Sequence, residues 1–207
     1  MKVLLLNGST RKNGCTWLAL SEIAKALHTE GVETELVQMG GGPVRDCIGC
    51  NGCAGKGRCA FGDDLVNELI AKAEVADGFV FGSPVYYAHP SGQLLSLLDR
   101  LFYAGGGAFA HKPGAAVVTA RRAGTTASLD ALNKHMLDAQ MPIVSSTYWN
   151  MVFGPAPELV ERDAEGLQTM RNLGRNMAWL LKCIRAGREK GMEAPAAETA
   201  HWTNFNR

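Results

Sequence analysis

Four of the six cysteines in this chain fall within one short stretch, CIGCNGCAGKGRC, as Cys47, Cys50, Cys53 and Cys59. The spacing C-x2-C-x2-C-x5-C admits a metal centre, a set of redox thiols or a disulfide staple. Thiols at i, i+3 and i+6 let a tight backbone curl around one face of an iron-sulfur cube, and a fourth closes it. The run is close to the bacterial ferredoxin pattern C-x2-C-x2-C-x3-C-P, but its last cysteine comes two residues late and is followed by Ala60. Gly49, Gly52, Gly55 and Gly57 allow the curl, since glycine takes positive φ freely. Four thiolates also suit tetrahedral zinc, although zinc motifs usually come as two separated pairs. Lys56 and Arg58 favour thiolates under either reading.

A second constellation is the polar stretch NGSTRKNGCT, Asn7–Thr16, directly after the apolar run KVLLLN. A strand opening into a helix N-terminus binds anions through free N–H groups and the helix dipole. Ser9, Thr10, Asn13 and Thr16 add neutral donors, and Arg11 adds a charge-assisted fork. Gly8 and Gly14 have five residues between them where a Walker A loop needs four, and no G-x-G-x-x-G follows the strand. A monophosphate fits this loop better than a triphosphate or a dinucleotide. No cysteine has an arginine six positions on, which discards a Cys-x5-Arg phosphatase.

Short apolar runs alternate with amphipathic stretches and position these loops. Strands are expected at Lys2–Asn7, Glu33–Met39, Asp77–Pro84, Gly114–Ala120 and Pro142–Thr147. Helices are expected over Thr16–Thr29, after an Asp63-Asp64 cap, over Gln93–Tyr103, over Thr126–Gln140 and over Asp163–Glu189. Such alternation gives a parallel sheet with helices on both faces, and ligands then sit beyond the strand carboxyl ends. Two more loops fall there: GSPVYYAHPSG, with Pro84 and the paired Tyr86-Tyr87, and TARRAGTTAS, with two arginines and Gly124. Cys183, inside WLLKCI, reads as a buried inert thiol.

With 46% apolar and 20% charged residues in 207 positions, the chain can bury a full core. A net charge of +1 offers no field for nucleic acid. No apolar window reaches the length of a membrane span, and the N-terminus lacks the h-region of a signal peptide. A cytoplasmic location follows, where disulfides are rare.

Taken together, GSTRKNGCT, SPVYYAHPSGQLLSLLDRL and TARRAGTT resemble the NAD(P)H-dependent FMN reductases of the flavodoxin-like proteins, and among them the iron-sulfur flavoproteins. The resemblance covers about Met1–Arg185. It implies an α/β, flavodoxin-like three-layer sandwich with a five-stranded parallel sheet of order 2-1-3-4-5. Residues 1–190 would form the FMN-binding domain and 191–207 a tail. Ser9, Arg11, Asn13 and Thr16 would hold the FMN phosphate. Pro84, Val85, Tyr86 and Tyr87 would line the ring and ribityl chain, and Arg121, Ala123 and Gly124 would approach the pyrimidine edge. Cys15 departs from the Asn usual in relatives. Cys47, Cys50, Cys53 and Cys59 would bind a [4Fe–4S] cluster, although relatives can keep such thiols without one. Electrons would pass from NAD(P)H to a quinone, a nitro compound, a soluble acceptor or the cluster, with no catalytic side chain beyond the flavin contacts. An electron carrier without turnover and a zinc-stabilised binding protein are the rival readings. A homodimer or homotetramer is implied, with the Leu94–Tyr103 helix, the YAGGGAF loop and Trp202–Phe205 as candidate contacts.

Overall fold

The computed structural model describes residues 1–201 and Thr203; the expected Trp202 and Phe205 contacts lie outside the described residues. Five parallel strands form the sheet: β1 (Lys2–Asn7), β2 (Glu33–Gln38), β3 (Gly78–Tyr86), β5 (Gly114–Ala120) and β6 (Met151–Phe153). A two-residue strand, β4 (His89–Pro90), pairs antiparallel with the end of β3. The sheet order is β2-β1-β3-β5-β6, so the five parallel strands run 2-1-3-4-5 as expected.

β1 is apolar throughout because both its faces are covered. Val3 and Leu5 enter a core with α1 (Cys15–Thr29) and α6 (Ala164–Glu189). Leu4 and Leu6 enter the opposite core, with α2 (Val66–Val75), α3 (Gly92–Gly105) and α4 (Thr125–Asp138). Two glycines that sequence propensity reads as weak points in α6 have packing reasons. A Cβ at Gly174 would lie 2.8 Å from that of Ala26, so glycine lets α6 close on α1. One at Gly166 would strike the Asp163 carboxylate, which caps α6 by accepting from the Gly166 N–H at 2.9 Å.

The fifth strand is displaced from its expected place. Within Pro142–Thr147 only Ile143 bridges to Gly114. The chain then leaves the sheet because α6 competes for it: Ser146 donates to the Thr169 carbonyl, and Asn176 donates to the Ser145 carbonyl. Pairing resumes at Met151, opposite Val118. The second helix starts at Val66, with the Asp64 side chain accepting from the Val66 N–H. Cys183 is exposed, contrary to expectation, because it falls off the buried stripe of Met170, Leu173, Met177 and Leu181.

Candidate functional site

The polar loop between β1 and α1 is built as a nest of N–H groups. Helix α1 has neither a side-chain cap nor an acidic residue in its first turn. The amides of Cys15, Thr16 and Trp17 are therefore orphan donors at the positive end of a dipole. Among the described residues, the amides of Thr10, Lys12 and Asn13 also have no protein acceptor. The loop itself is held firmly. The Ser9 hydroxyl accepts from the Arg11 N–H at 3.2 Å, and the Asn7 carboxamide accepts from the Ser9 N–H at 3.1 Å. Asn7 also donates to Gln38 at 2.6 Å, tying the loop to β2. Gly8 is required by close approach: its N–H donates to the Gly82 carbonyl, and a Cβ there would come within 2.6 Å of Leu94.

Arg11 and Asn13 are exposed and free to face a ligand, whereas Ser9 and Thr16 are buried. The Thr16 hydroxyl is turned inward, 2.9 Å from that of Thr119. Its backbone N–H, not its side chain, is what the nest offers. The same pair joins the first turn of α1 to the carboxyl end of β5. Cys15 points to the Gly154 carbonyl at 3.6 Å, and burial pushes its thiol pKa up.

The other two loops close against each other beside this nest. Residues Tyr87 and Ala88 form the two-residue turn between β3 and β4, with φ of 51° and 59°. Neither is glycine, so the turn holds two L-residues in the left-handed region, at about 1–2 kcal/mol each. Strain of this kind collects at ligand sites. Gly124, at φ 90°, caps α4 and lies under that turn; a Cβ would meet the Ala88 Cα at 2.3 Å. Tyr86 and Tyr87 are exposed, Pro84 and Val85 half-buried, and Arg121 and Ala123 exposed at the head of α4. The three loops thus form one contiguous rim at the strand carboxyl ends.

All four clustered cysteines line one small pocket, with Asp46, Phe61, Arg100 and Tyr103. Gly49, Gly55 and Gly57 take positive φ there. Gly52 is forced by space, since its Cβ would lie 2.8 Å from that of Ala60. Cys47 and Cys50 are exposed, Cys53 half-buried and Cys59 buried. Among the described residues, no three His, Cys, Asp or Glu side chains are close enough to share one metal ion. Four thiols round one cavity are a donor set that suits an iron-sulfur cluster or zinc.

Sequence reading missed the residue that organises this pocket. Arg100, on α3, is the one charged residue fully buried among the described residues. Its five N–H groups are all used. Nε and Nη2 each donate to Cys59 Sγ at 3.3 Å, Nη2 also to the Phe61 carbonyl, and Nη1 to the Arg45 carbonyl and to the Asp64 carboxylate. Burial works against the charge, but the bonds to Asp64 and Cys59 raise the Arg100 pKa overall. Asn67 holds the Cys59 backbone at both ends, accepting from its N–H at 2.8 Å and donating to its carbonyl at 3.1 Å. The available signal was an arginine set among the core leucines of LLSLLDRL. Tyr103, a turn further along α3, donates to Asn51 in the loop.

Residues 1–156 match the family model described as NADPH-dependent FMN reductase. An iron-sulfur flavoprotein of Methanocaldococcus jannaschii is 35% identical over 193 residues, covering 89% of this chain and 100% of the relative. Among solved structures, a flavone reductase superposes with a TM-score of 0.68 at 20% identity, covering 89% of this chain and 64% of the other. An archaeal flavodoxin superposes with a TM-score of 0.60 at 15% identity, covering 88% of this chain and 99% of the other. The chain belongs to the NADPH-dependent FMN reductase family and is an FMN-dependent oxidoreductase of flavodoxin-like fold.

Proposed function

We propose that this member of the NADPH-dependent FMN reductase family holds FMN at the α1 nest, takes electrons from NAD(P)H and delivers them to a small-molecule or protein acceptor through a [4Fe–4S] cluster. The observation that carries the reading is the run of unpaired amides at the head of α1, at the carboxyl end of a parallel sheet. Arg11, Asn13 and the N–H groups of Cys15, Thr16 and Trp17 would bind the phosphate, and Ser9 shapes the loop that presents them. Pro84, Val85, Tyr86 and Tyr87 would line the ring and ribityl chain, with the exposed Tyr87 covering it from water. Arg121, Ala123 and Gly124 would meet the pyrimidine edge, where donors stabilise negative charge. FMN, when bound, supplies hydride acceptance and one-electron transfer; the protein supplies orientation and electrostatics.

Cys47, Cys50, Cys53 and Cys59 would ligate the cluster, a reading supported by the shared cavity and by the name of the M. jannaschii relative. A cytoplasmic location suits cysteines that serve metal or redox chemistry, since disulfides are rare there. Among the described residues no helix is long and apolar enough to cross a membrane. Residues 1–190 act as the flavin domain, and we infer a homodimer or homotetramer. The exposed position of Cys47 and Cys50 favours a second reading, a one-electron carrier that docks protein partners there.

An anaerobic visible spectrum with iron and sulfide assays tests the proposal. Flavin bands with about four irons per chain are the expected result. Protein that takes up neither FMN nor iron overturns it. Steady NAD(P)H oxidation with a quinone or nitro acceptor separates the reductase from the carrier.

A further inference from the structure

We propose that Arg100 is a positioning residue of the cysteine pocket: it presets Cys59 as a ligand and raises the reduction potential of the iron-sulfur group held there. The inference rests on the cluster reading above, and its grounds are the asymmetry of the four sulfurs. The Cys59 sulfur receives two N–H donors from one guanidinium at 3.3 Å. Among the described residues, the sulfurs of Cys47, Cys50 and Cys53 receive none. Cys59 is also the one whose backbone is fixed at both ends by Asn67.

The orientation of the guanidinium leaves little freedom. Its side chain is 1% exposed and that of Asp64 7%. With every donor engaged, the fork cannot turn without leaving a buried group unpaired, and that is costly. The pocket therefore places a fixed cation and two fixed donors on a single sulfur. Reduction adds negative charge to an iron-sulfur group, and hydrogen bonds to its sulfurs together with net local charge set its potential. Donors and a cation at Cys59 favour the reduced form. Asp64 opposes them and limits the effect. The neighbouring Arg45–Asp63 pair is exposed and screened, so it adds little.

The two partners thus act with opposite signs, which a structural role would not produce. The test uses the full chain, loaded with FMN and reconstituted anaerobically with iron and sulfide. Iron per chain is assayed, and the potential is read by redox titration of the cluster absorbance and its electron paramagnetic resonance signal. Arg100→Gln is expected to shift the midpoint to more negative potential. Asp64→Asn, which leaves Arg100 on Cys59, is expected to shift it to more positive potential. Arg100→Lys keeps the charge but loses the fork, and is expected to fall between wild type and Arg100→Gln. If Arg100→Gln does not fold, judged by FMN retention, the lysine and Asp64 variants carry the test. Equal midpoints, or shifts of the same sign at both positions, overturn the assignment. Wild-type protein that takes up no iron overturns instead the cluster reading beneath it.

Discussion

The nest at α1 and the pocket at Cys59 are two ways of building a site, and they depend on the fold differently. The nest is made of backbone. Its donors are amides left over at the start of a helix, and the core holds them by Gly8 on Gly82 and Asn7 on Gln38. The pocket is made of side chains on a loop with no helix or strand between Gln38 and Val66. That loop is anchored at its deep end, where Arg100 and Asn67 grip Cys59, while Cys47 and Cys50 stay exposed. A backbone site tolerates side-chain changes that face the ligand; a side-chain site concentrates its dependence on few residues.

The largest expected effect breaks the pocket. Arg100→Met leaves Asp64 buried without its partner and should lower the stability of the metal-free protein by about 3–5 kcal/mol. Arg11→Met, on the exposed rim of the nest, should change stability by no more than about 0.5 kcal/mol while weakening FMN binding about tenfold through the lost charge-assisted bonds. Urea unfolding and flavin titration of both variants check the contrast. Equal stability losses would show that the two sites do not differ in this way.

A second comparison sets glycine against glycine. Gly8→Ala must push against Leu94 and the Gly82 carbonyl, at about 1–3 kcal/mol, and should release FMN. Gly55→Ala meets nothing within 4 Å but keeps a φ of 67°, so it should lose only about 1–2 kcal/mol of backbone preference and retain FMN. Flavin content after gel filtration separates them.

Strain at the rim can be relieved without touching the nest. Ala88→Gly accepts the left-handed turn freely and should stabilise the protein by about 1 kcal/mol, read as a rise in Tm. An unchanged or lower Tm would mean that the turn costs nothing.

The smallest effect lies in the scaffold beneath both sites. Glu35 on β2 lies between Lys2 and Lys72, and their hydrogen bonds hold its pKa below the usual carboxylate range. A lowered carboxylate pKa contributes stability above the ordinary glutamate range, and that contribution is lost as pH falls through the lowered value. Glu35→Gln should therefore lower stability by about 0.5–1 kcal/mol at neutral pH, with the gap closing at acid pH, below the lowered value. Urea unfolding at the two pH values measures it.

The alternation of strands and helices, the three loops at the carboxyl edge and the positions of the four cysteines were legible in the sequence, because each is a local pattern; the strand order, which is not local, came from the family resemblance. Apolar runs report burial, turn residues report the ends of elements, and spacing reports which thiols share a loop. Tertiary structure decided the rest. The fifth strand moved from Pro142–Thr147 to Met151–Phe153 because α6 competes for the earlier segment through Ser146 and Asn176. Thr16 turned its hydroxyl to Thr119, which no local pattern announces. Arg100 reaches partners 36, 39, 41 and 55 residues away, so its role exists only once α3 lies along the cysteine loop. Spacing named four equivalent thiols. Packing made Cys59 different from the other three, because burial is a property of the assembled core and not of the segment that enters it.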